Sequence, residues 1–353
     1  MQAASAQSLS CSSDEFNDPS TLTDWTRIEF SEGWNATHLE SLAINAGALT
    51  MVPHTAVWFE DYRGPMLYKT LEGDFAVTTS VTATGRDGVS VPRSQFSLAG
   101  LMIRAPREIT PATWTPGDEN YVFLSTGYTT GASEWSYEVK TTTNSNSILQ
   151  LSSAPGPTST LQLVRIGDAI IALLRPEGGT WSVHARFTRS DLDGPVQVGM
   201  VAYTDWTKCQ TFAPFDHNAN TLVPPLAIPD PSPGQAFDPD LRATYEYVRF
   251  AVPSVPPELI GADLTDAALV PDGQLLAFLG ASLDLPSSPC CLADYNADGL
   301  SDVLDLLDFL ADFSACDGQV VPCGQFGDPD LNRDGIVVVL DLLDFLDAFS
   351  NGC

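Results

Sequence analysis

Between residues 14 and 253, hydrophobic and polar positions alternate in short runs that recur every ten to fifteen residues. The clearest are Phe75-Ala-Val-Thr-Thr-Ser-Val-Thr82, Gly100-Leu-Met-Ile-Arg104, Tyr121-Val-Phe-Leu-Ser125, Leu161-Gln-Leu-Val-Arg165, Ala169-Ile-Ile-Ala-Leu-Leu174, Val196-Gln-Val-Gly-Met-Val-Ala202 and Thr244-Tyr-Glu-Tyr-Val-Arg-Phe250. β-Branched and aromatic residues fill the runs, and Gly, Pro, Asn and Asp separate them. Many short strands with turn signals and no long amphipathic helix predict a mainly β fold of two antiparallel sheets packed as a sandwich.

Proline breaks the pattern twice. Residues 206–239 carry Pro214, Pro224, Pro225, Pro229, Pro231 and Pro233, too many for an interior strand, and predict a long loop over one rim. Residues 253–289 read as a Pro-rich linker with one short helix near 272–279. Beyond the linker the apolar period becomes helical: Val303, Leu304, Leu306, Leu307, Phe309, Leu310 and Phe313 recur as Val339, Leu340, Leu342, Leu343, Phe345, Leu346 and Phe349. The organisation is therefore a start of residues 1–11, a sandwich over 12–252, the linker, and a small helical module over 290–353.

The helical runs belong to a near-literal repeat whose copies begin at Asp294 and Asp330, 36 residues apart. Each opens D-x-N-x-D-G and carries Asp at its twelfth position, the spacing of an EF-hand-type calcium loop. Side-chain oxygens at alternate positions, Asp294, Asn296 and Asp298 or Asp330, Asn332 and Asp334, converge on one cation. The carbonyl of Leu300 or Ile336 and the carboxylate of Asp305 or Asp341 complete the shell. The ninth position is Asp302 in the first copy and Val338 in the second, which offers no side-chain oxygen. The competing reading is an acidic turn before an amphipathic helix. Neither helix can stay exposed alone, so the two are expected to pack across a pseudo-two-fold axis.

Tandem loop-helix repeats with Asp at position twelve, ended by Asn351-Gly352-Cys353, resemble a dockerin domain of the GC-ended variety. The resemblance implies two bound calcium ions and a cohesin-like or cell-surface protein as partner. Where such domains usually carry Ser or Thr for recognition, this chain has Val303-Leu304 and Val339-Leu340. The pseudo-symmetry of the repeat suggests pairing Cys290 or Cys291 with Cys353, and Cys316 with Cys323, among the many pairings that five cysteines permit.

The sandwich segment, with Asp14-Glu-Phe-Asn-Asp18, Leu22-Thr-Asp-Trp25, Asn120-Tyr-Val-Phe123, Val164-Arg-Ile-Gly-Asp168 and Gly178-Gly-Thr-Trp181, is similar to concanavalin A-like jelly rolls of the DUF1349 type and to the sandwich appended to some β-xylosidases. Folds of this class often bind glycans on a concave sheet, which makes Arg104, Tyr121 or Phe123, Trp135, Tyr137, Glu138 and Lys140 candidates for a polysaccharide site. Burial in the core is the competing reading for each aromatic. An ion pair of Arg104 with Glu138 is expected, because a buried guanidinium needs a partner.

A second function class rests on Glu134-Trp-Ser-Tyr-Glu138. On a strand i and i+4 share a face, so Glu134 and Glu138 are candidates for the nucleophile and acid of a retaining glycosidase; the spacing resembles the E-x-D-x-E of family 16 jelly-roll glucanases, with Ser136 at the central position. Asp14, Asn17, Asp18 and Asp240 are candidates for a further calcium where the first and last strands meet, and Cys11–Cys209 for a disulfide of the sandwich. His38, His54, His184 and His217 show no metal-ligand spacing. Asn35-Ala-Thr37 matches a glycosylation sequon.

Charge adds exclusions. With 45 acidic against 16 basic residues and a net charge of −29, the chain lacks the clustered cations that nucleic acid or an anionic membrane surface requires. Asp supplies 13 charges between residues 290 and 353, where Arg333 is the sole basic residue. The acidity thus concentrates where calcium is expected. The start Met1-Gln-Ala-Ala-Ser-Ala-Gln7 reads as the tail of a truncated signal peptide or as an ordinary disordered start, and with the Cys-rich C-terminal module predicts a secreted or cell-surface protein. The sequence thus predicts an exported, non-catalytic, carbohydrate-binding sandwich attached through a calcium-dependent module, with a glycoside hydrolase as the alternative.

Overall fold

The computed structural model describes residues 9–34, 36–107, 110–131, 134–286, 293, 295, 302–318, 329–331 and 336–351. The chain divides into two compact units, one of which spans Asp14–Leu285. This unit holds fourteen strands: β1 Thr26–Arg27, β2 Leu39–Asn45, β3 Ala48–Pro53, β4 Met66–Leu71, β5 Phe75–Thr84, β6 Ser97–Arg104, β7 Tyr121–Tyr128, β8 Ser136–Thr143, β9 Asn146–Ser153, β10 Thr158–Ile166, β11 Ala169–Pro176, β12 Ser182–Thr188, β13 Val196–Tyr203 and β14 Arg242–Ala251. Two seven-stranded antiparallel sheets result, ordered β1-β4-β13-β6-β7-β8-β9 and β12-β11-β10-β5-β14-β3-β2. This is a sandwich of jelly-roll type, and all seven runs singled out by alternation are strands in it.

Burial departs from simple alternation. β6, β7 and β13 are buried along their whole length, because the first sheet is covered on both faces. One face meets the second sheet: the Tyr245 hydroxyl of β14 accepts from Gly100 N at 3.1 Å and donates to Val201 O at 2.6 Å. Only glycine fits at position 100, since a Cβ there would lie 2.0 Å from the Leu124 carbonyl oxygen. The other face lies under residues 54–65 and 206–222. Val57, Trp58, Tyr62 and Cys209 from these segments share a cluster with Met66, Tyr68, Leu98, Met102, Tyr121, Phe123, Val201 and Tyr203 of the sheet. The Pro-rich segment expected as a rim loop is thus part of a cover, with short helices Trp206–Cys209 and Pro214–Ala219.

The segment expected as a linker also packs on the sandwich. Leu259, Leu264, Val270, Leu275, Phe278, Leu279 and Leu283 bury themselves against Val164, Ala169, Ile171 and Leu173 of the second sheet. Asp284 anchors the end of this strap, accepting from Arg175 at 3.0 Å, Arg249 at 3.1 Å and the Tyr247 hydroxyl at 2.8 Å. The short helix predicted near 272–279 forms at Asp272–Leu276. Apolar residues spaced irregularly between prolines carry no strand or helix period, so their role as a cover is invisible to periodicity.

The C-terminal helices are Val303–Cys316 and Val339–Asn351. Phe309 and Phe345, equivalent positions of the repeat, stack face to face at 4.2 Å with 2° between their planes. Each also stacks within its own helix, Phe309 on Phe313 at 5.8 Å and Phe345 on Phe349 at 5.7 Å. Matching geometry at matching positions is what a pseudo-two-fold axis through the Phe pair requires, and the helices pack as the repeat predicts.

Candidate functional site

Strand register decides which candidate residues share a face. Arg104 of β6 lies opposite Tyr121 of β7, which lies opposite Thr142 of β8. Glu138 sits further along β8, opposite Ser125. Arg104 and Glu138 therefore do not pair as expected. Arg104 instead donates to Glu119 at 2.8 and 3.0 Å and to Gln197 at 2.6 Å, and pairs with Glu32 at 2.8 Å. Burial disfavours its charge, yet the two carboxylates hold the guanidinium above its ordinary pKa. The same Arg104 and Arg107 neighbours keep Glu119 below the usual carboxylate range despite its burial. This network fixes the cover to the sheet, since Glu32 also contacts Arg63 at 3.6 Å and accepts from Trp34 at 3.0 Å.

Glu138 and Lys140 form a second buried pair, 2.7 Å apart. The Lys140 ammonium also donates to the Trp58 carbonyl at 2.6 Å and to the Tyr203 hydroxyl at 3.2 Å, and Tyr203 donates to Glu138 at 3.1 Å. Tyr203 stands on β13, separated from β8 by β6 and β7, and small residues Gly100 and Ser125 lie on the strands between. Burial lowers the Lys140 pKa, while Glu138 opposes the shift. Trp135 and Tyr137 turn the other way: the Trp135 indole donates to Ala83 O at 3.1 Å, and the Tyr137 hydroxyl meets Ser159 at 2.8 Å, both on the second sheet. The pleat enforces this separation, because neighbouring residues of a strand point to opposite faces. Of the predicted ligand set, Arg104, Tyr121, Glu138 and Lys140 share the covered face.

Glu134 is exposed and precedes β8, which begins at Ser136. Glu138 is fully buried. The two carboxylates thus share no open face.

Beside Lys140 the cover leaves an apolar cleft of ≈ 130 Å³, lined by Val57, Trp58, Phe59, Phe96, Lys140, Leu149, Tyr203 and Trp206. Val57, Trp58, Lys140 and Tyr203 are buried and form its floor, while Phe59, Phe96, Leu149 and Trp206 are half-buried and form its mouth. Trp206 is held edge-on by Phe59 at 5.2 Å and Tyr62 at 5.8 Å. Asp205 before it has a left-handed backbone, φ +69°, secured by accepting from Thr55 Oγ1 at 2.7 Å and Asp238 N at 3.0 Å. Sequence reading missed these walls, because residues from 57 to 206 meet only in the fold. The one local signal was Trp206, an aromatic shortly after the end of β13.

The proposed cation ligands of the sandwich are not gathered. Asp14 pairs with Val248 within the last strand, and its carboxylate accepts from Phe16 N and the Trp25 indole. Asp240 precedes that strand and accepts from Arg86 N and Arg93 N. Asp18 caps the turn at Ser20, with Asn17 exposed beside it. Cys209 is a free thiol, buried in the cover cluster, so the expected Cys11–Cys209 bridge is not formed. Burial pushes this thiol well above its ordinary pKa and leaves it unreactive.

In the C-terminal unit the position-twelve carboxylates Asp305 and Asp341 are both fully buried. Each accepts the N–H of its loop's ninth residue: Asp302 N to Asp305 at 2.8 Å and Val338 N to Asp341 at 2.9 Å. Asp302 also caps its helix, accepting from Leu304 N at 2.7 Å. Asp330 is buried, and Ile336 is exposed in its side chain. The remaining proposed ligands, Asp294, Asn296, Asp298, Leu300, Asn332 and Asp334, lie outside the described residues, as do Cys291, Cys323 and Cys353. Cys316 is disulfide-bonded. Among the described residues no group of three or more His, Cys, Asp or Glu side chains is gathered as a metal site, and no helix is long and apolar enough to cross a membrane.

Neither a family model nor a curated protein matches the chain. Solved structures similar to it include a functionally unknown protein from Saccharomyces cerevisiae, with 14% identity over 66% of this chain and 99% of that one at a TM-score of 0.43. A xylan beta-1,4-xylosidase from Bacillus halodurans has 14% identity over 68% of this chain at a TM-score of 0.41, and the chain covers 38% of that enzyme. The basic winged bean lectin in complex with Tn-antigen has 11% identity over 62% of this chain and 97% of the lectin, at a TM-score of 0.37.

Proposed function

We propose that the protein is an exported, non-catalytic binding protein in which a carbohydrate-binding sandwich is attached through a calcium-dependent, dockerin-like helix pair to a cohesin-like or cell-surface partner. The observation that carries this reading is the internal symmetry of the C-terminal unit. Two buried carboxylates occupy equivalent loop ends in the same hydrogen bond, in a stretch whose sole basic residue is Arg333. Carboxylates at the twelfth position of a D-x-N-x-D-G loop supply the oxygen donors that a hard divalent cation takes. Asp305 and Asp341 would hold the ions with the loop residues that precede them.

The same helices display apolar side chains in equivalent pairs: Val303 and Val339, Leu304 and Leu340, Leu307 and Leu343, Leu310 and Leu346, each between 39% and 60% exposed. Large exposed apolar faces mark protein interaction sites, which supports a protein partner at Val303-Leu304 and Val339-Leu340. In the sandwich, Glu138 is engaged by Lys140 and Tyr203 while Glu134 stands apart, so this geometry favours binding over hydrolysis. The test is chelation of the intact protein. EGTA is expected to abolish most of the far-UV helical signal, because ion binding supplies folding energy to so small a unit. A helical signal indifferent to EGTA, with no calcium uptake by calorimetry, sinks the assignment.

A further inference from the structure

We propose that the cleft between Phe59, Phe96, Leu149 and Trp206 receives one neutral pyranose ring, presented by its apolar C–H face. The inference rests on the carbohydrate reading of the sandwich and adds to it a location and a ligand class.

Size sets the first limit. The cleft measures ≈ 130 Å³, close to the roughly 150 Å³ apolar cavity that takes up a benzene ring. One six-membered ring fits, and an acyl chain or a folded oligosaccharide does not. Shape sets the second. Trp206 is braced by Phe59 and Tyr62 in edge contacts, so the half-buried indole is already ordered before a ligand arrives, which lowers the entropic cost of binding. Leu149 closes the mouth from edge strand β9.

Charge sets the third limit. The Lys140 ammonium in the floor is already engaged by Glu138, 2.7 Å away, and by the Trp58 carbonyl and the Tyr203 hydroxyl. An entering carboxylate would have to displace Glu138 from a buried pair, and breaking such a pair is strongly destabilising. A uronic acid is thereby disfavoured and a neutral sugar tolerated. Hydroxyl partners stand beside the walls: exposed Gln95 precedes Phe96, and Thr207 follows Trp206 and donates to Gln95 at 3.3 Å. An apolar slot with a polar rim suits a ring that is apolar on its face and polar on its edge.

The experiment uses the full-length protein and isothermal titration with cellotetraose, xylotetraose, mannotetraose and tetragalacturonate. A neutral tetrasaccharide is expected to bind, with affinity reduced at least tenfold by Trp206→Ala and by Leu149→Arg. Trp114→Ala, which alters a separate aromatic pair with Phe215, should leave affinity within twofold. Thermal melting checks each variant; if Trp206→Ala unfolds, Leu149→Arg on the sheet edge decides. Sugar binding that survives both cleft variants overturns the cleft and leaves the carbohydrate reading standing. Tighter binding of tetragalacturonate than of every neutral sugar overturns the neutral class. No binding of any of the four to the wild-type protein overturns the cleft together with the reading beneath it.

Discussion

His217 shows how one side chain can join two stretches of cover that are far apart in sequence. Its Nε2 accepts the Val57 N–H at 3.3 Å, and its Nδ1 donates to Asn218 Oδ1 at 2.9 Å. His38 packs on it at 5.1 Å between ring centres. Burial pushes the His217 pKa from 6.5 down to about 4, with Arg63 adding to the shift, and holds His38 well below its ordinary value. Both are neutral in the fold, whereas the unfolded chain takes up protons as the pH drops through 6.5. The stability they contribute is therefore complete above pH 6.5 and is lost as the pH falls towards 4, by about 3 kcal/mol for His217 alone. Urea midpoints measured at pH 7 and pH 4.5 should diverge, and His217→Gln, which keeps an acceptor for Val57, should narrow the gap. An equal gap in the variant would refute the assignment.

The strap over the second sheet carries the clearest expectation at the level of an element. Leu279 is fully buried within it and belongs to one cluster with Ile171 and Leu173. Leu279→Ala should destabilise the sandwich by roughly 2–5 kcal/mol, the usual cost of truncating a buried leucine, where a true linker residue would cost nothing measurable. The seven strands were legible because β-branched and aromatic residues fill their runs and Gly, Pro, Asn and Asp separate them. Periodicity could not assign a structural role to residues 253–289, since a strap bound by scattered leucines and two aspartates, Asp272 and Asp284, has no period. The helices of the repeat were legible for the opposite reason: two copies of one pattern reveal their own spacing and apolar face.

For the whole molecule, the two units have different sources of stability. Asp14–Leu285 buries large aliphatic and aromatic side chains between and outside two sheets. Among the described residues the C-terminal unit centres on a few aromatic residues, chiefly Tyr295, Phe309 and Phe345, and the proposed calcium ions would add binding energy to its folding. Scanning calorimetry of the intact protein should therefore resolve two transitions, with EGTA lowering one by more than 10 °C and leaving the other in place. A single transition that shifts as a whole would contradict independent units.

By itself the sequence determined the β-sandwich, the two C-terminal helices and the concentration of acidity around them, because each depends on local period or literal repetition. Tertiary structure alone decided the chemistry of the sheet face. The sequence marks Arg104 as a guanidinium that needs a partner and offers Glu138 for it, yet Glu119 and Glu32 take Arg104 and Lys140 takes Glu138. Partner choice among buried charges follows from strand register and from segments that return from far along the chain, as Glu32 does to Arg104 and Trp58 to Lys140. The cleft walls were hidden for the same reason: Phe59, Phe96, Leu149 and Trp206 share no pattern along the chain and become neighbours only when the cover closes over the sheet.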